Sequence, residues 1–383
     1  MIDRCKFFLR DTAKMVTQKV LLPIAYAIAK LRYTGDKTLY VFADAHHTAL
    51  PFSLAAMYDA VVSKGIVPVC HFYDYTHEGA LKSLVHAISF MDILARAKYV
   101  FICDTFLPVS SGRKPKGTVV VQLCHFSGPI KKIGYVTNDD VPKYYKGNVF
   151  GNYDLVTASS EAYIPLLTEA MKQPVGVVQA LGVSRSDVYY DKAWVDRCKE
   201  DFYASNPTAR GKKILLWAPT FRGRAASPET LNNEIFTKLQ AQLGEDWMVL
   251  IKHHPHDDAM AKDPRHRSNC EISTERLLPV VDLLITDYST VVLDYLIFDK
   301  PFILYAPDLE EYEHKRGFFV PYLSITEDVI TTDVSQLDQT IKTVYQRWQA
   351  GDRETINRCK DMFISACDGK ATQRILDYLE QLH

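Results

Sequence analysis

The chain has 383 residues, 47% of them apolar and 24% charged, which is too apolar for a disordered polymer and long enough for two ordinary domains with separate cores. A formal net charge of −1 and a pI near 6.9 exclude a global attraction to nucleic acid, so electrostatic recognition has to come from local patches. The eight cysteines, Cys5, Cys70, Cys103, Cys124, Cys198, Cys270, Cys359 and Cys367, are scattered without a CxxC pair, which fits reduced thiols in a cytoplasmic protein and argues against a disulfide or zinc framework.

The first expected element is a basic amphipathic helix. Between Met1 and Lys37, eight basic residues (Arg4, Lys6, Arg10, Lys14, Lys19, Lys30, Arg32, Lys37) stand against three acidic ones (Asp3, Asp11, Asp36), a local charge of +5. Phe8, Met15, Val16, Val20 and Leu22 recur among them at helical spacing. The uncharged run from Val20 to Ala29 is about half the ~20 residues that a bilayer span requires, and Pro23 interrupts it. A signal peptide fits poorly, because the charges extend far ahead of the apolar run and no small-residue cleavage site follows Ala29. The pattern suits a segment of residues 1–34 lying in the headgroup layer of an anionic membrane. Packing on the protein's own surface is the alternative.

Beyond Gly35, short β-branched runs alternate with longer amphipathic ones, the signature of βα units in parallel sheets. Strands are expected at Thr38 to Ala43, Ile66 to Phe72, Lys98 to Cys103, Thr118 to Leu123, Asp154 to Ala158 and Val175 to Gln179, with helices at Leu50 to Lys64 and Ala80 to Ala97. The polar stretch Gly182 to Lys213, with its charged run around Asp196 to Asp201, reads as the domain boundary. The expected domains are therefore residues 35–185 and 186–383. Strands of the second are expected at Ile214 to Trp217, Trp247 to Ile251, Leu283 to Thr286 and Pro301 to Tyr305, and helices at Thr230 to Leu243 and Thr290 to Phe298. The tail from Ser335 reads as two or three helices.

Ligands of such sheets bind beyond the carboxyl ends of the strands, and residues suited to chemistry follow several of these runs. Cys124-His125-Phe126-Ser127-Gly128-Pro129-Ile130-Lys131-Lys132 follows one strand. There His125 is placed to deprotonate a hydroxyl, with Gly128, Lys131 and Lys132 beside it, although a strand-end histidine also serves structural ends. Thr220 and Arg222 follow another, with a hydroxyl and a planar cationic fork suited to phosphate oxygens; ordinary solvated loop residues would look the same. His253, His254 and His256 follow a third, where neighbours on an extended segment point to opposite sides, so a donor such as His254 is a better expectation than a metal site. After Leu283 to Thr286, Asp287-Tyr288-Ser289-Thr290 opens a helix, and Ser289 and Thr290 serve equally as a phosphate dock or a helix cap.

Taken in order, Ala218-Pro219-Thr220-Phe221-Arg222, His254-Pro255, Thr286 to Thr290, Lys300-Pro301, Asp308-Leu309-Glu310-Glu311-Tyr312, Arg316-Gly317-Phe318 and Asp368-Gly369-Lys370-Ala371 resemble the CDP-glycerol glycerophosphotransferase family of teichoic acid synthesis. The resemblance implies an α/β fold of GT-B type, with two Rossmann-like domains facing across a cleft and the N-terminal amphipathic helix as an extension. It implies transfer of glycerol phosphate, or in some members ribitol phosphate, from a CDP-activated donor to an undecaprenyl-diphosphate-linked saccharide at the cytoplasmic membrane face, with no cofactor or metal. It assigns His125 and His254 to catalysis and Thr220, Arg222, Ser289 and Thr290 to the donor phosphates. Asp287, Glu310 and Glu311 are assigned to ribose or glycerol hydroxyls, and Gly128, Lys131 and Lys132 to the acceptor side. The family usually reads Trp-His-Gly-Thr in the first domain, whereas two residues separate His125 from Gly128 here. The modest length suggests a primase more than a polymerase. A nucleotide-sugar glycosyltransferase and a catalytically silent paralogue are the rival expectations.

Overall fold

The computed structural model describes residues 10–75, 77–220, 222–224, 227–229, 234–252, 268–320 and 326–382. The chain divides into two compact units, the first taking residues up to Phe126, Ile133–Asp187 and the stretch from Ala366 onward, the second Ser127–Lys132 and Val188–Ser365. A single cut near residue 185 therefore misses two exchanges of chain.

The first unit opens with a helical stretch from Arg10 that passes through a π-helical turn, Thr17–Leu21, into α1 (Leu22–Arg32). The wide turn is where Gln18 turns inward. Its amide donates to the Ser110 carbonyl at 2.9 Å, and its oxygen accepts from the Asn148 N–H at 3.1 Å and the Tyr145 hydroxyl at 3.2 Å. Pro23 sits inside this continuous helix just after the wide turn, where the Leu22 N–H reaches back to the Thr17 carbonyl and the looser spacing accommodates a residue without an N–H. Leu22 and Ala29 are buried, while Val16, Val20, Ile24, Ile28 and Leu31 form an exposed stripe. The helix thus packs on its own unit along one face and presents apolar side chains on another.

Strands β1 (Leu39–Asp44), β2 (Val69–Phe72), β3 (Ala97–Ile102), β4 (Val119–Gln122), β5 (Leu155–Thr157) and β6 (Val178–Gln179) form one parallel sheet in the order β2-β1-β3-β4-β5-β6. Helices α2 (Phe52–Ser63), α3 (Ala80–Arg96) and α4 (Tyr163–Met171) run between strands. The chain leaves β1 toward one edge and returns to β3 on the other side, so the loops after β1 and β3 flank a switch point, where open α/β sheets place ligands.

The second unit stacks β7 (Lys213–Ala218), β10 (Trp247–Ile251), β11 (Leu283–Thr286), β12 (Phe302–Tyr305) and β13 (Ile330–Thr331) in parallel order β10-β7-β11-β12-β13, with β8 (Arg222–Arg224) and β9 (Ser227–Glu229) as a separate antiparallel pair. The stretch expected as a linker holds α5 (Lys192–Ser205). Asp191 accepts from the N–H groups of Ala193 and Trp194 at its start, and Cys198 and Phe202 form the buried face while the charges stay outside. Helices α6 (Glu234–Leu243), α7 (Thr274–Leu277), α8 (Val291–Tyr295), α9 (Leu309–Lys315), α10 (Leu337–Gln349) and α11 (Glu354–Phe363) complete this unit.

The closing helix α12 (Ala371–Gln381) belongs to the first unit, where Ile375, Leu376 and Leu379 join Phe42, Leu54, Met57, Phe101, Val121 and Leu155 in one core. Asp187 accepts from the N–H groups of Ala371 at 3.1 Å and Thr372 at 2.7 Å, capping α12 from a distant part of the chain. Gly182, at φ +81°, brings its backbone so close to this segment that a Cβ would lie 2.2 Å from the Ala366 carbonyl oxygen.

On β2, His71 packs against Phe90 and Phe106, with ring centroids 5.0 and 6.1 Å away. Burial, and then the nearby His86, push its pKa down to about 4 from an ordinary 6.5. The unfolded chain therefore takes up a proton at this site before the folded one. Stability of the first unit is expected to fall as the pH drops from 6.5 to about 4, by up to about 3 kcal/mol from this group. Thermal melts across that range should show the loss, and His71→Phe should flatten it; an equal slope in the variant would show that other groups carry the effect.

Candidate functional site

Two clusters form at the carboxyl edges of the sheets, one in each unit. In the first unit β1, β3 and β4 are neighbours, which brings together residues after Asp44, Ile102 and Gln122. His125 is half exposed, and its Nδ1 lies 3.2 Å from the Cys103 carbonyl oxygen and 3.5 Å from Oδ2 of Asp104. A carbonyl oxygen only accepts, so this contact favours the tautomer with Nδ1–H, which leaves Nε2 the lone pair that a general base requires. His46 Nε2 lies 3.7 Å from the same Asp104 oxygen.

The backbone beneath His125 is firmly held. Cys124 adopts φ +59°, a conformation disfavoured for a residue with a side chain, and its N–H donates to Gln122 Oε1 at 3.0 Å. The Arg185 guanidinium donates to the His125 carbonyl. Beside them Asp44 is buried and its Oδ1 accepts from the N–H groups of His46 at 2.7 Å and His47 at 2.8 Å and from His47 Nδ1 at 2.7 Å. Burial alone would raise the Asp44 pKa, but those bonds outweigh it and hold the carboxyl below its usual value. The same bond from Asp44 raises the pKa of His47.

Gly128, Lys131 and Lys132, expected on the acceptor side, fold with the second unit. Lys131 bridges antiparallel to Phe318, the Lys132 N–H donates to the Gly317 carbonyl at 3.1 Å, and Arg316 Nε donates to the Lys132 carbonyl at 3.2 Å. Ser127 is buried and donates to Asp294. The Phe319 N–H donates to the Ile130 carbonyl at 2.9 Å, so β-type pairing with residues 317–319 holds the backbone from Ile130 to Lys132.

In the second unit, adjacent β7 and β11 bring the loop carrying Thr220 beside Asp287-Tyr288-Ser289-Thr290. Asp287 is 0% exposed, and its Oδ1 accepts from the Thr220 N–H at 2.8 Å and the Tyr288 N–H at 2.6 Å. A carboxylate so enclosed ties the two loops together. Ser289 and Thr290 are half-buried at the start of α8. Thr290 makes no side-chain capping bond, and Ser289 Oγ accepts from the Val291 N–H at a long 3.4 Å. The Tyr288 ring stacks on Tyr312 at 4.0 Å, and its hydroxyl donates to Asp308 Oδ1 at 3.0 Å. Glu310 and Glu311 lie exposed in the first turn of α9, where Glu311 pairs with Lys315. The backbone of Arg222 pairs with Glu229 between β8 and β9. His253, His254 and His256 lie outside the described residues.

Asp44, His46, His47, Asp104 and Arg185 join the first cluster without having been singled out in the sequence, and Tyr288 and Asp308 were quoted within motifs without a role of their own. The run Ala43-Asp44-Ala45-His46-His47 directly after a strand was the available signal for the first of them. Among the described residues no group of three or more His, Cys, Asp or Glu is arranged to hold a metal ion.

Two α/β units with parallel sheets and strand-end clusters define a GT-B type fold. Wall teichoic acid polymerase TagF shares it, at TM-score 0.71 and 20% identity over 100% of this chain and 98% of that one. UDP-GlcNAc 2-epimerase from Neisseria meningitidis is also similar, at TM-score 0.56 and 14% identity over 90% of this chain and 99% of that one. The chain belongs to the CDP-glycerol:poly(glycerophosphate) glycerophosphotransferase family, whose model matches residues 29–381. The teichoic acid ribitol-phosphate primase of Bacillus spizizenii is 30% identical over 312 residues, 79% of each chain. The teichoic acid glycerol-phosphate primase of Bacillus subtilis is 28% identical over 314 residues, 79% of this chain and 78% of that one. The chain matches only 49% of the length of the poly(ribitol-phosphate) polymerase of Bacillus spizizenii, with 31% identity over 78% of this chain.

Proposed function

We propose that this protein transfers glycerol phosphate from CDP-glycerol to a hydroxyl of a saccharide carried on undecaprenyl diphosphate, a priming step in teichoic acid or related surface-polymer synthesis, and releases CMP. The family match across residues 29–381 carries this reading. Similarity to two primases, at 30% and 28% identity over 79% of this chain, supports a priming step. A TagF structure obtained after a soak with CDPG supports a CDP-activated donor. Transfer of ribitol phosphate is the second reading, favoured by the 30% identity to a ribitol-phosphate primase.

In the proposed reaction the acceptor hydroxyl gives its proton to Nε2 of His125 as its oxygen bonds to the phosphorus bearing glycerol. The bond from that phosphorus to the CMP oxygen breaks. Such a transfer asks the protein mainly for alignment and charge neutralisation. We assign the donor phosphates to Thr220, Arg222, Ser289, Thr290 and His254, with Glu310 and Glu311 near polyol or ribose hydroxyls.

Thermal stabilisation by CDP-glycerol, CDP-ribitol and a UDP-sugar tests the donor, since a ligand at 100 times its Kd adds about 2.7 kcal/mol. CDP-glycerol is expected to raise the melting temperature most and to yield CMP with a lipid-linked acceptor. Stabilisation by the UDP-sugar alone would favour a glycosyltransferase, and absence of CMP release with every donor a silent paralogue.

The acceptor implies work at the cytoplasmic membrane face as a peripheral protein. No described helix is long and apolar enough to cross a membrane. The exposed stripe of Val16, Val20, Ile24, Ile28 and Leu31, flanked by Lys19, Lys30 and Arg32, supports surface attachment. Because Gln18, Leu22 and Ala29 are buried, point changes test this better than deletion. Val20→Glu with Ile24→Glu is expected to weaken binding to anionic vesicles by about tenfold or more with the fold intact; unchanged sedimentation would overturn the attachment surface.

A further inference from the structure

We infer that Asp104 is the positioning carboxylate of His125, and that it is shared with His46. The inference rests on His125 being the base of the proposed transfer. Its ground is the orientation of the Asp104 side chain. Oδ1 accepts from the Thr105 N–H at 2.6 Å, which fixes the carboxylate plane. Oδ2 is thereby turned toward two imidazoles, His125 Nδ1 at 3.5 Å and His46 Nε2 at 3.7 Å. The Asp104 carbonyl accepts from Gln122 Nε2 at 3.1 Å, and Gln122 Oε1 accepts from Cys124 N–H at 3.0 Å, so one glutamine joins the backbone of Asp104 to the turn carrying His125.

The chemistry follows from the proton's path. When the acceptor oxygen bonds to phosphorus, its proton passes to Nε2 of His125 and the ring becomes a cation. The Cys103 carbonyl, 3.2 Å from Nδ1, has already selected the tautomer with Nε2 bare. The Asp104 carboxylate then faces the new positive charge without moving, and the ring later gives its proton to water. His46 approaches the same oxygen from the loop after β1, where its own N–H is held at 2.7 Å by Asp44. The strand order β1-β3-β4 is what places this shared carboxylate between the two histidines.

The test measures kcat and donor KM in the full chain for wild type, Asp104→Asn, His125→Ala and the double variant. Asp104→Asn, nearly isosteric at a partly exposed site, is expected to lower kcat by roughly 10- to 10²-fold and leave KM within about twofold. It should cause no further loss in the His125→Ala background, because positioning has nothing left to position. An unchanged kcat in Asp104→Asn, or the same loss in both backgrounds, would overturn the inference while leaving His125 as the base. Wild-type turnover by His125→Ala would instead overturn the reading beneath it. A second measurement needs no turnover. Ring ¹⁵N shifts of His125 are expected to show Nδ1 protonated and Nε2 bare, and a proton on Nε2 would sink the inference in an enzyme of any specificity.

Discussion

Replacing His125 with alanine is expected to slow polyol-phosphate transfer by about 10²- to 10⁴-fold with an unchanged melting temperature. The side chain is 50% exposed, so truncation opens no cavity. Its Nδ1 contacts are the Cys103 carbonyl and Asp104. The residues proposed to hold the donor belong to the other unit, so donor KM should hold while kcat falls, the pattern of a group that acts only in the transition state. His254→Ala is expected to cause a loss of about 10²-fold or more on the same scale. Near-wild-type turnover by either variant would remove that histidine from the mechanism.

Asp287→Ala should act on structure first. It strips the acceptor from two N–H groups, Thr220 and Tyr288, in a place where no water reaches the carboxylate. Each buried donor left unsatisfied costs about 1–3 kcal/mol, so the variant is expected to lose roughly 2–6 kcal/mol and, with the loops freed, its stabilisation by a CDP-alcohol. Ser289→Ala is the contrast. Its only capping bond is long, at 3.4 Å, so stability should change by less than about 1 kcal/mol while donor binding weakens. Denaturant melts with and without donor separate the two. If Asp287→Ala kept its stability and lost only donor affinity, the carboxylate would be a ligand contact after all.

Much of the architecture could be read from apolar runs. The expected strands from Trp247 to Ile251 and from Leu283 to Thr286 coincide with β10 and β11, and the others lie within a few residues of those observed. Buried strands of parallel sheets announce themselves as continuous apolar stretches. The misses have physical causes. Helix α5 hides behind its charges, since only Cys198 and Phe202 mark its buried face. Strand β13 is two residues long, too short for any period to show. His125, Thr220 and Ser289 stood out because each follows an apolar strand closely. Asp44, His46 and Asp104 did not, because their meaning depends on which strands are neighbours, and Asp287 reads as ligand or scaffold only once its burial is known.

The placement of α12 has a consequence for the order of folding. Ile375, Leu376 and Leu379 fill the same core as Phe42, Leu54 and Phe101, yet a ribosome makes them after the whole of the second unit. The N-terminal part, complete at Asp187, must therefore wait with an open apolar face through the whole of Val188–Ser365 until its plug emerges, whereas the second unit can close before it. Contacts of such long sequence separation form slowly, and the waiting surface is a site for chaperones or for aggregation. A nascent chain stalled before Ala366 should accordingly resist protease in the second unit while the first is still cut.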